Sequence, residues 1–380
     1  MPENLLCIEP TNQSEPKSRL LVCWNQAPAT TTRLCCVVRN GSHNGADRAS
    51  SKPEADSSQI PSSVEAGPPF NKASADLIIR TADDVNFHVW KCVLEEVSPF
   101  FADMFALGGQ QPKATSSCEV ENGGDQRTPP PCIDVSESSV VLRRLLLTIY
   151  PPSNFTFTSL DELKPVIGAA HKYQMDPVID ILRQVLVRDF AKVEPLRVFS
   201  IATLYDLPLA QEAAARCFLG LSATDAAEAY VDELRDIDAK AYHQLLACRR
   251  QCVADVAKIF EALSWFPDGV WVFTNNMNCN CGYESFASTF QGPDGTGVQR
   301  TIKRWFFAHF QRVAAALLDK PCPEALDSNL TLCDQTFKDA TNCSTCRGMV
   351  HDHMRSFMKS LRGQVEERVS KITTTTFCPS

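Results

Sequence analysis

The run "NFHVWKCVLEEVSPFFADMFAL", Asn86 to Leu107, constrains the fold more than any other stretch. Around it, Val85 to Val89 alternates apolar with polar residues, the period of a half-buried strand. Trp90, Val93, Leu94 and Val97 then fall at helical spacing. Proline is disfavoured inside a helix but accepted at its first position, and serine is a good N-cap. Ser98-Pro99 therefore ends one short helix and starts the next. In the second helix Phe101 and Phe105 lie one turn apart, with Phe100 and Met104 on the adjoining face. A helix this apolar packs inside a core or against another subunit.

The flanks extend the pattern. Leu77 to Arg80 is a β-rich run and "TADD" a turn, so the two runs on either side of it read as a hairpin. "GGQQPKATSSCEVENGGDQRTPPP" has no period and reads as a flexible insertion over 108–131. "CIDV" is a strand. Ser136 or Ser138 is expected to cap the following helix, whose apolar side is Val140, Leu142, Leu145 and Leu146. Two more helices follow, the second capped by Asp176 and opened by Pro177.

Charge and composition exclude several classes. The chain has 380 residues, 37 Lys+Arg against 45 Asp+Glu, and no basic block. Nucleic-acid binding needs clustered positive charge, so it is not expected. No run approaches the roughly 20 apolar residues of a membrane span. The N-terminus does not read as a signal peptide, so cytoplasm or nucleus is the expected location. There, 17 cysteines are expected to stay reduced. Residues 1–72 are rich in Ser, Pro and Ala and bury too little apolar surface to order, so they read as a disordered tail. The apolar patches "LLVCWN" and "LCCVV" within it are read as stray hydrophobes, with a docking peptide as the alternative.

In order, the motifs are Asp76 before the first strand, "FHVWKCVL", "SPFF", "CIDV", "LLLTIY" and "AAHKYQM". This series resembles the BTB/POZ domain. The resemblance implies an α+β fold over 73–190, a small mixed sheet with helical hairpins. Trp90 stands where the family usually has His, which suggests a divergent branch, and the chain looks like the BTB proteins with cysteine-bearing tails of mushroom-forming fungi. The resemblance implies that Asp76 is a buried carboxylate and Lys91 a basic residue near a dimer surface and peptide groove; the alternative is that Asp76 merely caps the hairpin and Lys91 is solvated. Trp90, Phe101 and Phe105 complete the interaction set. Some members bind a cullin scaffold through a motif in the loop after the second helix, but "ATSSCEVENGG" offers no clean match.

Beyond 190, "EPLRVFSIATLYDLPLAQEAAARCFLG" reads as two helices and resembles the start of a BACK-like extension over 191–265, with a plain helical spacer fitting equally well. Val198, Ile201 and Leu204 are one expected face; Ala210, Ala213, Ala214 and Phe218 are the other. In 266–380, "VQRTIKRWFFAHFQRVAAALLDKP" reads as one amphipathic helix with Val298 and Ile302 on its inner side, and "MVHDHMRSFMKSLRGQVEERVSKI" as another. The fold expected after the BTB domain is all-α.

Cys279 and Cys281 form a C-x-C pair, and Cys343 and Cys346 a C-x-x-C pair. Thiolates suit a closed tetrahedral zinc site, and His351 and His353 are substitute ligands. Spacing this loose is met more often in buried reduced cysteines, so no cofactor is expected and structural zinc is the alternative. No nucleophile elbow, P-loop or H-E-x-x-H occurs, and "GPDGTG" at Gly292 reads as a polar loop rather than a dinucleotide motif. The expected function is protein–protein association, as a homodimer or with a partner protein, rather than catalysis. A cullin-type ubiquitin-ligase adaptor is the alternative.

Overall fold

The computed structural model describes residues 64–108, 130–150, 155–261, 265–266, 271–274, 279, 281–291, 297–327 and 330–378. The N-terminal patches, the 109–129 part of the insertion and the Gly292 loop lie outside the described residues.

A four-stranded mixed sheet comes first, built from β1 (Val64–Glu65), β2 (Leu77–Arg80), β3 (Val85–Val89) and β4 (Cys132–Asp134) in the order β1-β3-β2-β4. β2 and β3 form the expected antiparallel hairpin, with Ile79 opposite Phe87. Its turn carries Asp84 at φ 57, a left-handed conformation that Asp tolerates better than most residues. β1 and β4 add in parallel on either side. The sheet reaches further upstream than a tail ending at 72: Ala66 and Phe70 are buried, and Phe70 packs its ring on Phe87 and Tyr150.

The helical pair forms where the Ser-Pro signal puts it, as α1 (Lys91–Val97) and α2 (Pro99–Gly108). Ser98 Oγ accepts from the Phe101 N–H at 3.2 Å and donates to the Tyr173 carbonyl at 2.6 Å, so one hydroxyl caps α2 and ties it to a distant helix. Then follow α3 (Ser139–Leu147), α4 (Leu160–Lys172) and α5 (Asp176–Val185). Ser138, not Ser136, caps α3. Val140 is 61% exposed, so the buried stripe of α3 is Leu142, Leu145 and Leu146. Asp176 lies inside the first turn of α5 and makes no side-chain cap; Met175 holds the N-cap position.

α5 widens into a π-helical turn over Leu186–Phe190. Val178, Leu182, Leu186 and Phe190 are all buried at four-residue intervals. That spacing drifts around an α-helix of 3.6 residues per turn, and a wider turn brings the last member back over the core.

The chain after the sheet domain is mostly helical: α6 (Pro195–Leu204), α7 (Pro208–Phe218), α8 (Ala223–Glu228) and α9 (Ala239–Glu261) come first. The α4–α5 and α6–α7 corners share one construction. Gln174 and Asp206 adopt left-handed φ of 51° and 50°. Each is followed by a buried apolar residue, Met175 or Leu207, whose N–H returns to the Ala170 or Ala202 carbonyl. A proline then opens the next helix. Leu204 is 39% exposed, so Val198 and Ile201 alone of the expected trio face inward.

The last segment departs from the expected helices. Residues Gly297–Lys303 form a strand, β6, paired antiparallel with β5 (Tyr283–Gln291). Val298 and Ile302 therefore belong to a hairpin, and helix α10 (Arg304–Asp319) begins only at Arg304. α11 (Leu330–Thr341), α12 (Ser344–Arg347) and α13 (Val350–Phe377) complete the chain. α13 buries Val350, Met354, Phe357, Leu361 and Val365 and continues the stripe to Phe377, packing on α7 and α9. Phe357 sits at the centre of an aromatic group with Phe266, Phe273 and Phe306; the last two stack at 4.1 Å. One continuous apolar core links the sheet domain to the helices behind it.

Candidate functional site

Among the described residues, two places stand out for chemistry or recognition. The first is the α1–α2 face. Asp76 is exposed rather than buried, and its Oδ1 accepts from the Lys91 backbone N–H at 2.8 Å. It is thus a helix cap delivered from the residue that precedes β2, a role that Trp90 at the N-cap position has no side-chain oxygen to fill. The Lys91 ammonium lies instead 5.6 Å from the Phe105 ring centroid. Trp90 is half-buried, stacks on Tyr150 at 5.8 Å and donates its indole N–H to the Ser74 carbonyl at 3.3 Å. Phe101 is a core residue, 5.1 Å from the Tyr173 ring and 5.9 Å from Phe105. The apolar surface that α2 leaves to solvent is Phe100, 39% exposed, and Leu107, 72% exposed.

Beneath that face, the Tyr173 hydroxyl donates to Glu137 and Lys172 Nζ donates to Glu137 Oε1 at 2.8 Å. Burial pushes the Glu137 carboxyl up, but these hydrogen bonds outweigh it and hold it below its usual range. Burial and the Glu137 contact together push the Tyr173 phenol well above its ordinary value.

The second place is a thiol cluster. Cys279 and Cys281 lead into β5, Cys343 is the N-cap of α12, and Cys346 lies within that helix. The fold brings all four sulfurs within 4.8 Å of one another, with Cys281 Sγ 3.7 Å from Cys346 Sγ. Burial raises the Cys279 thiol, but hydrogen bonds from Lys303 and Cys281 bring it down to about 6. Burial and the neighbouring sulfurs push Cys281 up.

Lys303, at the end of β6, is fully buried, and its Nζ donates to Cys346 Sγ at 3.2 Å. Its backbone N–H bonds the Phe273 carbonyl at 2.9 Å, which fixes the strand end against the cluster. The helix reading of 297–303 hid this residue. The signal that would have found it is the β-branched content of the run, Val298, Thr301 and Ile302, rather than their spacing. The substitute ligands go elsewhere: His353 Nδ1 accepts from the Val272 N–H at 2.9 Å, and His351 stacks on Phe337.

Comparison with known proteins bears on the first place. No curated protein matches the chain. The BTB/POZ domain model matches residues 69–189, which begins just before Phe70 and ends within the π-helical turn. The mixed sheet, the capped helical pair and this match agree, and residues 69–189 of the chain are a BTB/POZ domain, a module that generally mediates protein–protein interaction.

Proposed function

We propose that the protein works by association through its BTB/POZ domain, joining two copies of itself by the α1–α2 face and offering the helices behind it to another protein. The observation that carries this is the pair of exposed apolar side chains on α2, Phe100 and Leu107, flanked by Lys91 over Phe105. Apolar area left in water on a helix whose other face is already core gains free energy when a second copy covers it. The two-fold arrangement is self-complementary, so one patch supplies both halves of the interface. The BTB/POZ family is an interaction family and not an enzymatic one, and an adaptor role in cytoplasm or nucleus fits that chemistry. The helices after 190 serve as a BACK-like extension, and Trp90 marks a divergent, fungal-type branch.

Sedimentation of the full chain tests the proposal. Replacing Phe100 and Leu107 together by Glu should convert a dimer into a folded monomer, with the circular dichroism spectrum retained. A wild-type chain that sediments as a monomer at micromolar concentration, or a double variant that still dimerises, removes the self-association reading.

A further inference from the structure

The thiol cluster is independent of the association reading, because it lies outside residues 69–189. We infer that Cys279, Cys281, Cys343 and Cys346 bind one structural zinc ion, with the Lys303 ammonium as the buried cation that offsets its charge. Three observations meet here.

The first is size. Zinc holds four sulfurs tetrahedrally at about 2.3 Å, which places the sulfurs about 3.8 Å from one another. The Cys281–Cys346 separation is 3.7 Å, and the whole set spans no more than 4.8 Å. A disulfide requires about 2.05 Å between sulfurs, much shorter than this. A cluster of several irons would hold the four sulfurs further apart than this set allows.

The second is charge. A fully buried ammonium is costly unless an anion meets it. Lys303 is aimed at Cys346, whose sulfur its Nζ meets at 3.2 Å, with the other three sulfurs within 4.8 Å of that one. Four neutral thiols would leave that charge uncompensated. Four thiolates around one divalent ion carry a net charge of minus two, and the ammonium answers half of it. The four thiols release their protons as the ion binds, and no oxidant or reductant is required.

The third is closure. All four positions are protein sulfurs, so no place remains for water or substrate, and the site is structural rather than catalytic. It joins the start of β5 to the turn that launches α13; Cys281 and Cys346 are 65 positions apart in sequence. Metal binding across such a loop is folding free energy for the segment it closes.

Metal analysis of the full chain, purified without chelator, tests this. The expected result is about one zinc per chain, seen both by elemental analysis and by native mass spectrometry. Cobalt replacing it should give the intense thiolate-to-metal absorption of a tetrahedral sulfur site. Cys343→Ser with Cys346→Ser should abolish both signals. Because loss of two ligands also threatens the local fold, Lys303→Met is the second arm. It should retain zinc yet surrender it to a competing chelator roughly 10–100-fold more readily. Wild-type chain that carries no zinc and gives no cobalt band, or that carries iron, or whose intact mass shows these cysteines paired as disulfides, overturns the site. Unchanged chelator competition in Lys303→Met overturns the role given to the lysine.

Discussion

The Asp76 carboxylate lies 2.8 Å from the Lys91 backbone nitrogen, so a residue from the strand side of the BTB sheet caps a helix fifteen positions later. Asp76→Ala should destabilise the BTB domain by about 1 kcal/mol, the ordinary worth of an N-cap. Asp76→Asn, which keeps an oxygen acceptor, should recover most of it. Urea unfolding midpoints of the three proteins provide the check. Equal loss in both variants would mean that the cap hydrogen bond is not what Asp76 contributes.

The Tyr205 side chain, from the residue that caps the end of α6, reaches Gly168 on α4, where an added Cβ would stand 2.7 Å from its hydroxyl oxygen. Gly168→Ala should therefore cost about 1–3 kcal/mol by overpacking. Tyr205→Phe removes the clashing atom, so the double variant should be less destabilised than the sum of its parts. Strict additivity would place the cost of Gly168→Ala somewhere other than this contact.

Arg249 on α9 is buried and holds three carbonyls, those of Asp319 at 2.6 Å, Leu219 at 3.3 Å and Phe218 at 3.5 Å. It satisfies the orphan ends of α7 and α10 together. Arg249→Met keeps the stem and strands these acceptors, at a cost of about 2–3 kcal/mol. Thermal denaturation followed by circular dichroism measures the loss. A variant as stable as the parent would show that water reaches those carbonyls.

Acid should weaken the BTB domain through Asp83. Hydrogen bonds from Ser139 and then Thr81 hold its carboxyl at about 2, below the ordinary aspartate range. A depressed folded-state pKa contributes stability that is present above the unfolded value and lost as pH falls through the folded one. The urea midpoint should thus decline between about pH 4 and pH 2, with Glu137 adding to the same trend. Asp83→Asn should flatten the profile. A steeper profile in that variant would contradict the assignment.

Much of the BTB domain was legible because its signals are local. Alternation marks β3, a Ser-Pro pair marks the α1–α2 corner, and both act over a few residues. Errors of a single position, such as Val140 and Leu204, arise where an apolar residue fits the stripe by count but lies at its edge. The strand at 297–303 was missed for a related reason. Ile302 stands three and four residues before Trp305 and Phe306, so it extends the period of α10 backwards by coincidence. The cysteine quartet is different again. Each pair is visible in the sequence, but their meeting depends on how a hairpin and a helical turn dock, and no local pattern encodes that. Lys303 looks like any surface lysine until β6 carries it inward.

The burial of α13 along its whole length, from Val350 to Phe377, has a consequence for biogenesis. The residues it covers on α7 and α9 must wait, still solvent-facing, while more than a hundred later codons are translated. The BTB domain lies within residues 69–189, so its own partners emerge well before α13 and it can settle while the ribosome is still at work. During synthesis the rear helices are thus the portion most dependent on chaperones.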